Sequence, residues 1–505
     1  MPEETSLDPS GSPVEIRGST TLRTPGLIGR ARVSGDAGVA AAALWPGFEE
    51  SLRRNEIEAE LAIEIHDARE LTPAAGSRGT GGADDIEVRA ADLGPGWAQV
   101  LLYQSEDGAL SWHFPERVVG SQTRSGAGEV TFRVPKAVVP PTPGDVPGSR
   151  GLAGAIGVKL LEIFAFRLVR TAAGWVGARF AEALEKQYRP HRPRSFTPDD
   201  FNTPRTAELE TEQLRRLGAG RALLVVHGTL STTHTAFGRL PVETVRTLDA
   251  AYGGRMLAFD HPTASRTPEQ NIRWFTDYLR ARGAALDVDV LCHSRGGLIA
   301  RMACERPDLA GTTDVLRVGS VVLVGTPNAG TALADVERLE QLVNRFTALL
   351  RLLPDNAVTD VLDIVLALVK QIAVGVSDGV DGLTSMNPRG EFLTRTLTGS
   401  ASTTARYFAA AANYDPPSGS SLSRIVGDGA VDFVFGREDN DLVVPTVGAL
   451  AESGLSLPIQ ERLRFDIAHA VDHFGYFARP ELSEALGRWL PGEQDVQAVL
   501  SLSHP

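Results

Sequence analysis

The part of the sequence that most specifically implies chemistry is VLCHSRGGLIAR, Val290 to Arg301. A short apolar run there meets a small-residue turn with Ser294 at its apex, and a helical pattern begins at once. A strand feeding a sharp turn into a helix exposes a serine Oγ, and the helix N-terminus favours the negative charge that develops in acyl transfer. The spacing is that of G-x-S-x-G with Cys292 in place of the first glycine, a residue still small enough to sit beside the turn. Gly296 and Gly297 are placed to bring the helix close to the sheet. A serine activated this way needs a base and an acid that orients the base, in the chain order acid, then histidine. Downstream, DFVFGREDNDLVVPT (Asp432 to Thr446) offers Asp441 and Asp439, and VDHFGYF (Val471 to Phe477) offers His473, with His469 one helical turn earlier.

These residues need a scaffold, and the pattern around them supplies one. Past about Arg205, continuous apolar runs at Ala222–Val226, Met256–Phe259, Val288–Leu291, Val321–Val324 and Tyr407–Ala412 alternate with helical patterns. Strands buried on both faces read this way, which predicts an α/β fold with a mainly parallel sheet. Between Thr331 and Met386 two apolar helical stripes interrupt the alternation. One carries Val336, Leu339, Val343, Phe346 and Leu350; the other carries Leu362, Val365, Leu366, Val369, Ile372 and Val376. An insertion between sheet strands is where a lid or cap would sit, and two ordinary packed helices would look the same.

Three further segments join the Ser294 turn in a combination that resembles the lipase-like α/β-hydrolases. They are LAFDHPT (Leu257 to Thr263), SVVLVGTPNAGT (Ser320 to Thr331) and GLTSMNPRGEFL (Gly382 to Leu393). The match runs from about Arg205 to Leu490. It is similar to the bacterial lipase-like domain associated with CHAT-type proteases, and more distantly to inositol deacylases acting on GPI lipids. The resemblance implies an α/β-hydrolase fold with a helical lid insertion at 332–386. It also implies Ser294 as nucleophile, Asp441 as acid and His473, followed by an aromatic YF pair, as base. Leu442 replaces a glycine of the family's acid motif. The backbone N–H groups of Thr229, after the strand ALLVVHGT, and of Arg295 would form the oxyanion hole. His227 would shape the Thr229 loop.

The first 135 residues lie outside that resemblance and read as a small β-rich domain. Ile57, Ala59, Leu61, Ile63 and Ile65 alternate strictly, and shorter strand patterns follow at 86–89, 97–103, 109–114 and 130–134. A Pro- and Gly-rich linker occupies 136–150. An amphipathic helical connector is expected over 151–204, packed on protein or lying at a membrane surface.

Composition narrows the function classes. The 505-residue chain carries a formal charge of -13, which argues against a nucleic-acid backbone as partner. The lysines are Lys136, Lys159, Lys186 and Lys370, an arginine bias that fits a GC-rich coding sequence. Two cysteines and a polar, acidic N-terminus without a signal-peptide pattern point to the cytoplasm. His227, His234, His261 and His293 lack zinc-ligand spacing, and the acidic texts near Gly427–Gly429 and in GREDND lack that of an EF-hand, so no metal or cofactor is expected. The expected partner is a small-molecule or lipid ester, with the N-terminal part open to a protein partner. The rival expectation is an interaction or sensor protein that uses a hydrolase-like domain as scaffold.

Overall fold

The computed structural model describes residues 4–34, 47–70, 85–105, 110–116, 128–135, 158–168, 170–171, 174–175, 180–204, 207–350, 353, 355–375, 379–399, 403–416, 435 and 438–490. The chain divides into two compact units. The first gathers Met1–Ala178, Val343–Val376 and Pro416–Ala430; the second gathers Arg179–Leu342, Ser377–Asp415 and Val431–Pro505.

The described residues of the first unit include the strands β1 (Glu4–Ser6), β2 (Val14–Arg17), β3 (Thr20–Arg23), β4 (Leu27–Val33), β5 (Ile57–Glu70), β6 (Ile86–Ala91), β7 (Trp97–Ser105), β8 (Leu110–His113), β9 (Glu129–Val134), β10 (Val158–Arg167), β11 (Arg170–Thr171) and β12 (Gly174–Trp175). They make an antiparallel sheet in the order β1-β4-β5-β10-β7-β8, a second in the order β2-β3-β6-β9, and a two-residue hairpin β11-β12. Leu22, Val88 and Phe132 of the smaller sheet share one buried core with Ile63, Leu101 and Ile163 of the larger.

Strand β10 corrects the expectation of a helical connector over 151–204. It lies between β5 and β7 in the middle of the larger sheet, and among the described residues of this stretch the helix is Phe180–Tyr188. The run LLEIFAF is buried on both faces, so it lacks the alternation that marks a half-buried strand. The Pro/Gly stretch 136–150 and the Gly427–Gly429 text lie outside the described residues.

The far face of the larger sheet, bearing Trp112 and Phe164, is covered by the helix Phe48–Arg54 and by the described residues between 343 and 375, the central part of the expected insertion. The helix Asp355–Ala373 is buried on every side from Val361 to Val369, which makes it a core helix. Arg54 pairs with Asp363 at 2.9 Å, and the Lys370 Nζ donates to the Asn55 carbonyl at 2.5 Å. The Asn344 side chain accepts from the Trp112 N–H at 2.6 Å and donates to its C=O at 3.1 Å. One amide thereby satisfies both main-chain groups of a residue on the outermost strand, β8.

The second unit holds a seven-stranded sheet of β13 (Arg192–Ser195), β14 (Arg221–Val226), β15 (Met256–Asp260), β16 (Leu286–His293), β17 (Leu316–Val324), β18 (Arg406–Ala412) and β19 (Ile459–Phe465). The order is β13-β15-β14-β16-β17-β18-β19, parallel throughout except for β13. Helices Val242–Ala251, Pro268–Ala281 and Gly296–Glu305 connect successive strands, which makes this an α/β fold. The continuous apolar runs all fall in central strands. Polar β13 and β19 are edge strands whose composition gave no such signal. Among the described residues no helix is long and apolar enough to cross a membrane.

Candidate active site

Because its strands run in parallel, the second unit collects their C-terminal ends along one edge, where loops from different strands converge. Strand β16 ends at His293, and Ser294 follows with φ +52°. A non-glycine residue in this left-handed region costs about 1–2 kcal/mol. The turn is held by the Ser294 N–H, which donates to the Val324 carbonyl of neighbouring β17 at 2.8 Å. The helix Gly296–Glu305 then starts so close to β14 that a Cβ at Gly296 would lie 2.4 Å from the Val226 carbonyl oxygen.

The acid comes from a turn after β18. Asp441 Oδ1 accepts the N–H groups of Val443 at 3.0 Å and Val444 at 2.8 Å, a local arrangement that closes the turn on the carboxylate. Leu442 stands at φ +82°, which explains why a glycine would suit the position. His473 lies on the loop after β19, and its N–H donates to the Asp441 carbonyl at 3.0 Å. Its Nδ1 is 2.8 Å from Asp441 Oδ2 and its Nε2 is 2.9 Å from Ser294 Oγ. A carboxylate at Nδ1 selects the tautomer with the proton there, leaving Nε2 free to accept from the serine hydroxyl.

Asp441, His473 and Ser294 are 1%, 1% and 2% exposed. Burial works against the Asp441 charge, but His473, the turn N–H groups and Tyr476 outweigh it and hold the carboxyl below the usual carboxylate range. The two alternatives in the sequence stand elsewhere. Asp439 pairs with Arg464 at the surface, and His469 bonds Asp466 at 2.7 Å.

Gly228 follows β14, and a Cβ on it would fall 2.5 Å from Ser294 Cβ and 3.1 Å from Oγ. The peptide entering Thr229 therefore starts against the serine. Among the described residues neither the Thr229 nor the Arg295 main-chain N–H donates to a protein acceptor. The Thr229 hydroxyl faces the Met386 sulfur at 3.5 Å.

His227 and His261 bond and stack on one another. His227 Nδ1 is 3.0 Å from the Gly228 carbonyl, its Nε2 accepts the His261 N–H at 3.1 Å, and the two rings stack at 4.1 Å. Burial, opposed by Asp260, pushes His227 down to about 4. Among the described residues no group of three metal-ligating side chains occurs.

Three features escaped sequence reasoning. Tyr476 donates its hydroxyl to Asp441 Oδ2 at 2.7 Å. His293 Nε2 meets the His473 carbonyl at 2.8 Å. The Arg295 guanidinium is fully buried, its Nε donating to the Gly382 carbonyl at 2.8 Å and its Nη2 to that of Arg266. The aromatic pair after His473 was the available signal for the first; the other two had none.

A search of curated proteins found no match. Among solved structures, the mature lipase BlEst2 of Bacillus licheniformis is similar over 54% of this chain and 92% of its own, at 18% identity and a TM-score of 0.34. Lipase 1 of Pelosinus fermentans matches 53% of this chain and 98% of its own, at 12% identity and a TM-score of 0.34. A carboxylesterase of the thaumarchaeon Nitrososphaera gargenis matches 54% and 90%, at 15% identity and a TM-score of 0.33. Likenesses this low say nothing about the chemistry of this chain. The family model that matches residues 188–491 spans the whole parallel sheet and all three residues of the Ser294 array, and the chain belongs to that family, described as a domain of unknown function (DUF7379).

Proposed function

We propose that the chain is a serine hydrolase of α/β-hydrolase type that cleaves carboxylic esters through an acyl-enzyme on Ser294. The observation that carries this reading is the buried line Asp441–His473–Ser294, with hydrogen bonds of 2.8 and 2.9 Å. Ser294 Oγ attacks the ester carbonyl carbon while His473 Nε2 takes its proton. The N–H groups of Thr229 and Arg295 receive the oxyanion that forms. Collapse of the tetrahedral intermediate expels the alcohol, which takes the proton from His473. Water, deprotonated by the same imidazole, then attacks the acyl-enzyme, and as the second intermediate collapses the acid leaves and Ser294 Oγ takes its proton back from His473. Asp441 stays ionised throughout and stabilises the imidazolium. No step calls for a metal or cofactor.

Within the second unit, the Met386 segment is the part of the expected lid that touches the Thr229 loop. An apolar thioether there favours an acyl chain or lipid ester over a charged substrate.

The test is labelling of the purified chain and its Ser294→Ala form with a fluorophosphonate, followed by peptide mapping. Modification at Ser294, lost in the variant together with ester turnover, is the expected result. An unlabelled wild type, or hydrolysis undiminished in Ser294→Ala, would reject the reading.

A further inference from the structure

We propose that Tyr476 is a positioning residue of the acid–base pair, which fixes Asp441 Oδ2 and limits how strongly that oxygen pairs with the His473 imidazolium; the inference rests on the hydrolase reading. Oδ2 is shared: it takes the His473 Nδ1 bond at 2.8 Å and the phenol O–H at 2.7 Å. Oδ1 is fully engaged by the two turn N–H groups. All four bonds reach the carboxylate from donors, so each holds part of its charge.

The place for the phenol is built by a second element. Gly325, in the turn leaving β17, has φ +56°, and a Cβ there would come 2.9 Å from Tyr476 Cε2 and 3.3 Å from Asp441 Oδ2. The same turn is anchored by the Gly325 N–H on the Ala410 carbonyl of β18 at 2.8 Å. The Tyr476 ring lies edge-on to Phe465 at 6.1 Å and is 1% exposed, which leaves the O–H little freedom to turn elsewhere.

Removing the hydroxyl leaves the carboxylate less stabilised by neutral donors and more dependent on the imidazolium. His473 then holds its proton more firmly, and activity is lost at the acid side of the pH profile. Other ionisable groups face the pair: His293, which burial pushes to about 3; Asp472, which burial pushes up; Arg239 beside Asp472; and His227. They are the same in wild type and variant, so the difference between the two isolates the phenol.

The experiment compares the full-length wild type, Tyr476→Phe, and protein carrying 3-fluorotyrosine at 476. One readout is hydrolysis of p-nitrophenyl butyrate across pH; the other is the titration of histidine Cε1 by carbon-13 NMR, assigned with His473→Gln. Tyr476→Phe should lower kcat roughly tenfold, the weight of one hydrogen bond to a charged group, with KM unchanged. The acidic limb of kcat/KM and the His473 NMR midpoint should both move to higher pH. The fluorinated phenol, a stronger donor, should move both to lower pH. Coincident midpoints in all three proteins would overturn the proposal. A wild type that hydrolyses no ester would instead reject the proposed function, and the NMR midpoints would still decide the role of Tyr476.

Discussion

The two units bury polar groups in different ways. In the parallel-sheet unit a group of them lies where strands end: His227 after β14, His261 after β15, and His293 and Ser294 at the end of β16, while Asp289 and Ser320 lie within strands. Non-glycine residues at positive φ sit in those same loops, at Leu230, Ser294 and Leu442. In the antiparallel unit Gln99 and Glu162 are buried within strands, and the side chains that reach across elements tie a helix to a strand, Asn344 to Trp112, or a helix to another helix and its C-cap, Asp363 to Arg54 and Lys370 to Asn55. Topology accounts for the contrast. Parallel strands put every C-terminus on one edge, so loops with different side chains converge; antiparallel strands alternate their ends and disperse them. In the first case buried polar groups and residues at positive φ meet at the candidate site, and in the second polar side chains join elements of a scaffold.

The largest test of that contrast separates two histidines four residues apart. His473→Ala should lower kcat by about a thousandfold or more, the usual cost of losing the base of such an array. His469→Ala should stay within about twofold, because His469 is bonded to Asp466 at the surface. Ester kinetics at neutral pH, with melting curves to confirm folding, give the comparison. A large loss in His469→Ala would place a working group outside the converging edge and break it.

Acid should separate the units next. Burial holds His227 and His191 down to about 4, His293 to about 3 and His261 well below its ordinary value, all in the parallel-sheet unit. Among the described residues of the other unit only His113 is held down this way, to about 4. A histidine whose folded value is depressed gives stability that is full above its unfolded value near 6.5 and is lost as pH falls toward 4, because the unfolded chain binds the proton first. The parallel-sheet unit should therefore open first on acidification from pH 7 to 5. Hydrogen exchange followed by peptide mass spectrometry at both pH values reads this directly, and earlier exchange in the strands of the antiparallel unit would contradict it.

Legibility in the sequence follows the same division. The central parallel strands are buried on both faces by covering helices, so Ala222–Val226 or Val321–Val324 stand out as unbroken apolar runs. Ser294 stands out because Cys292 and Gly296, two positions to either side of it, are small. Strand β10 is also buried on both faces, yet Lys159, Glu162 and Arg167 break its run at intervals that imitate a helix. Nor does local pattern show that residues 343–376 pack with the N-terminal sheet: Asn344 meets Trp112 and Asp363 meets Arg54 across hundreds of positions. Tyr476 was hidden for the same reason. Its aromatic ring is readable as core, but its hydroxyl gains meaning only from an acid 35 residues away.

The finest distinction lies at Leu442, a non-glycine residue at positive φ beside Asp441. At φ +82° the leucine backbone costs about 1–2 kcal/mol. Its side chain is 2% exposed, and burial of that size returns about 1.5–3 kcal/mol. Leu442→Gly relieves the first term and forfeits the second, and it adds the entropy a glycine loses on folding, about 0.5–1 kcal/mol. The net should be a destabilisation of about 1 kcal/mol, read as a small drop in denaturant midpoint. Turnover should change less than twofold, because the Asp441 carboxylate is held by the N–H groups of Val443 and Val444, which the substitution leaves in place. If instead Leu442→Gly kept its stability and lost turnover tenfold, the strain itself would be what aims the carboxylate, and packing at this turn would belong to the site rather than to the scaffold.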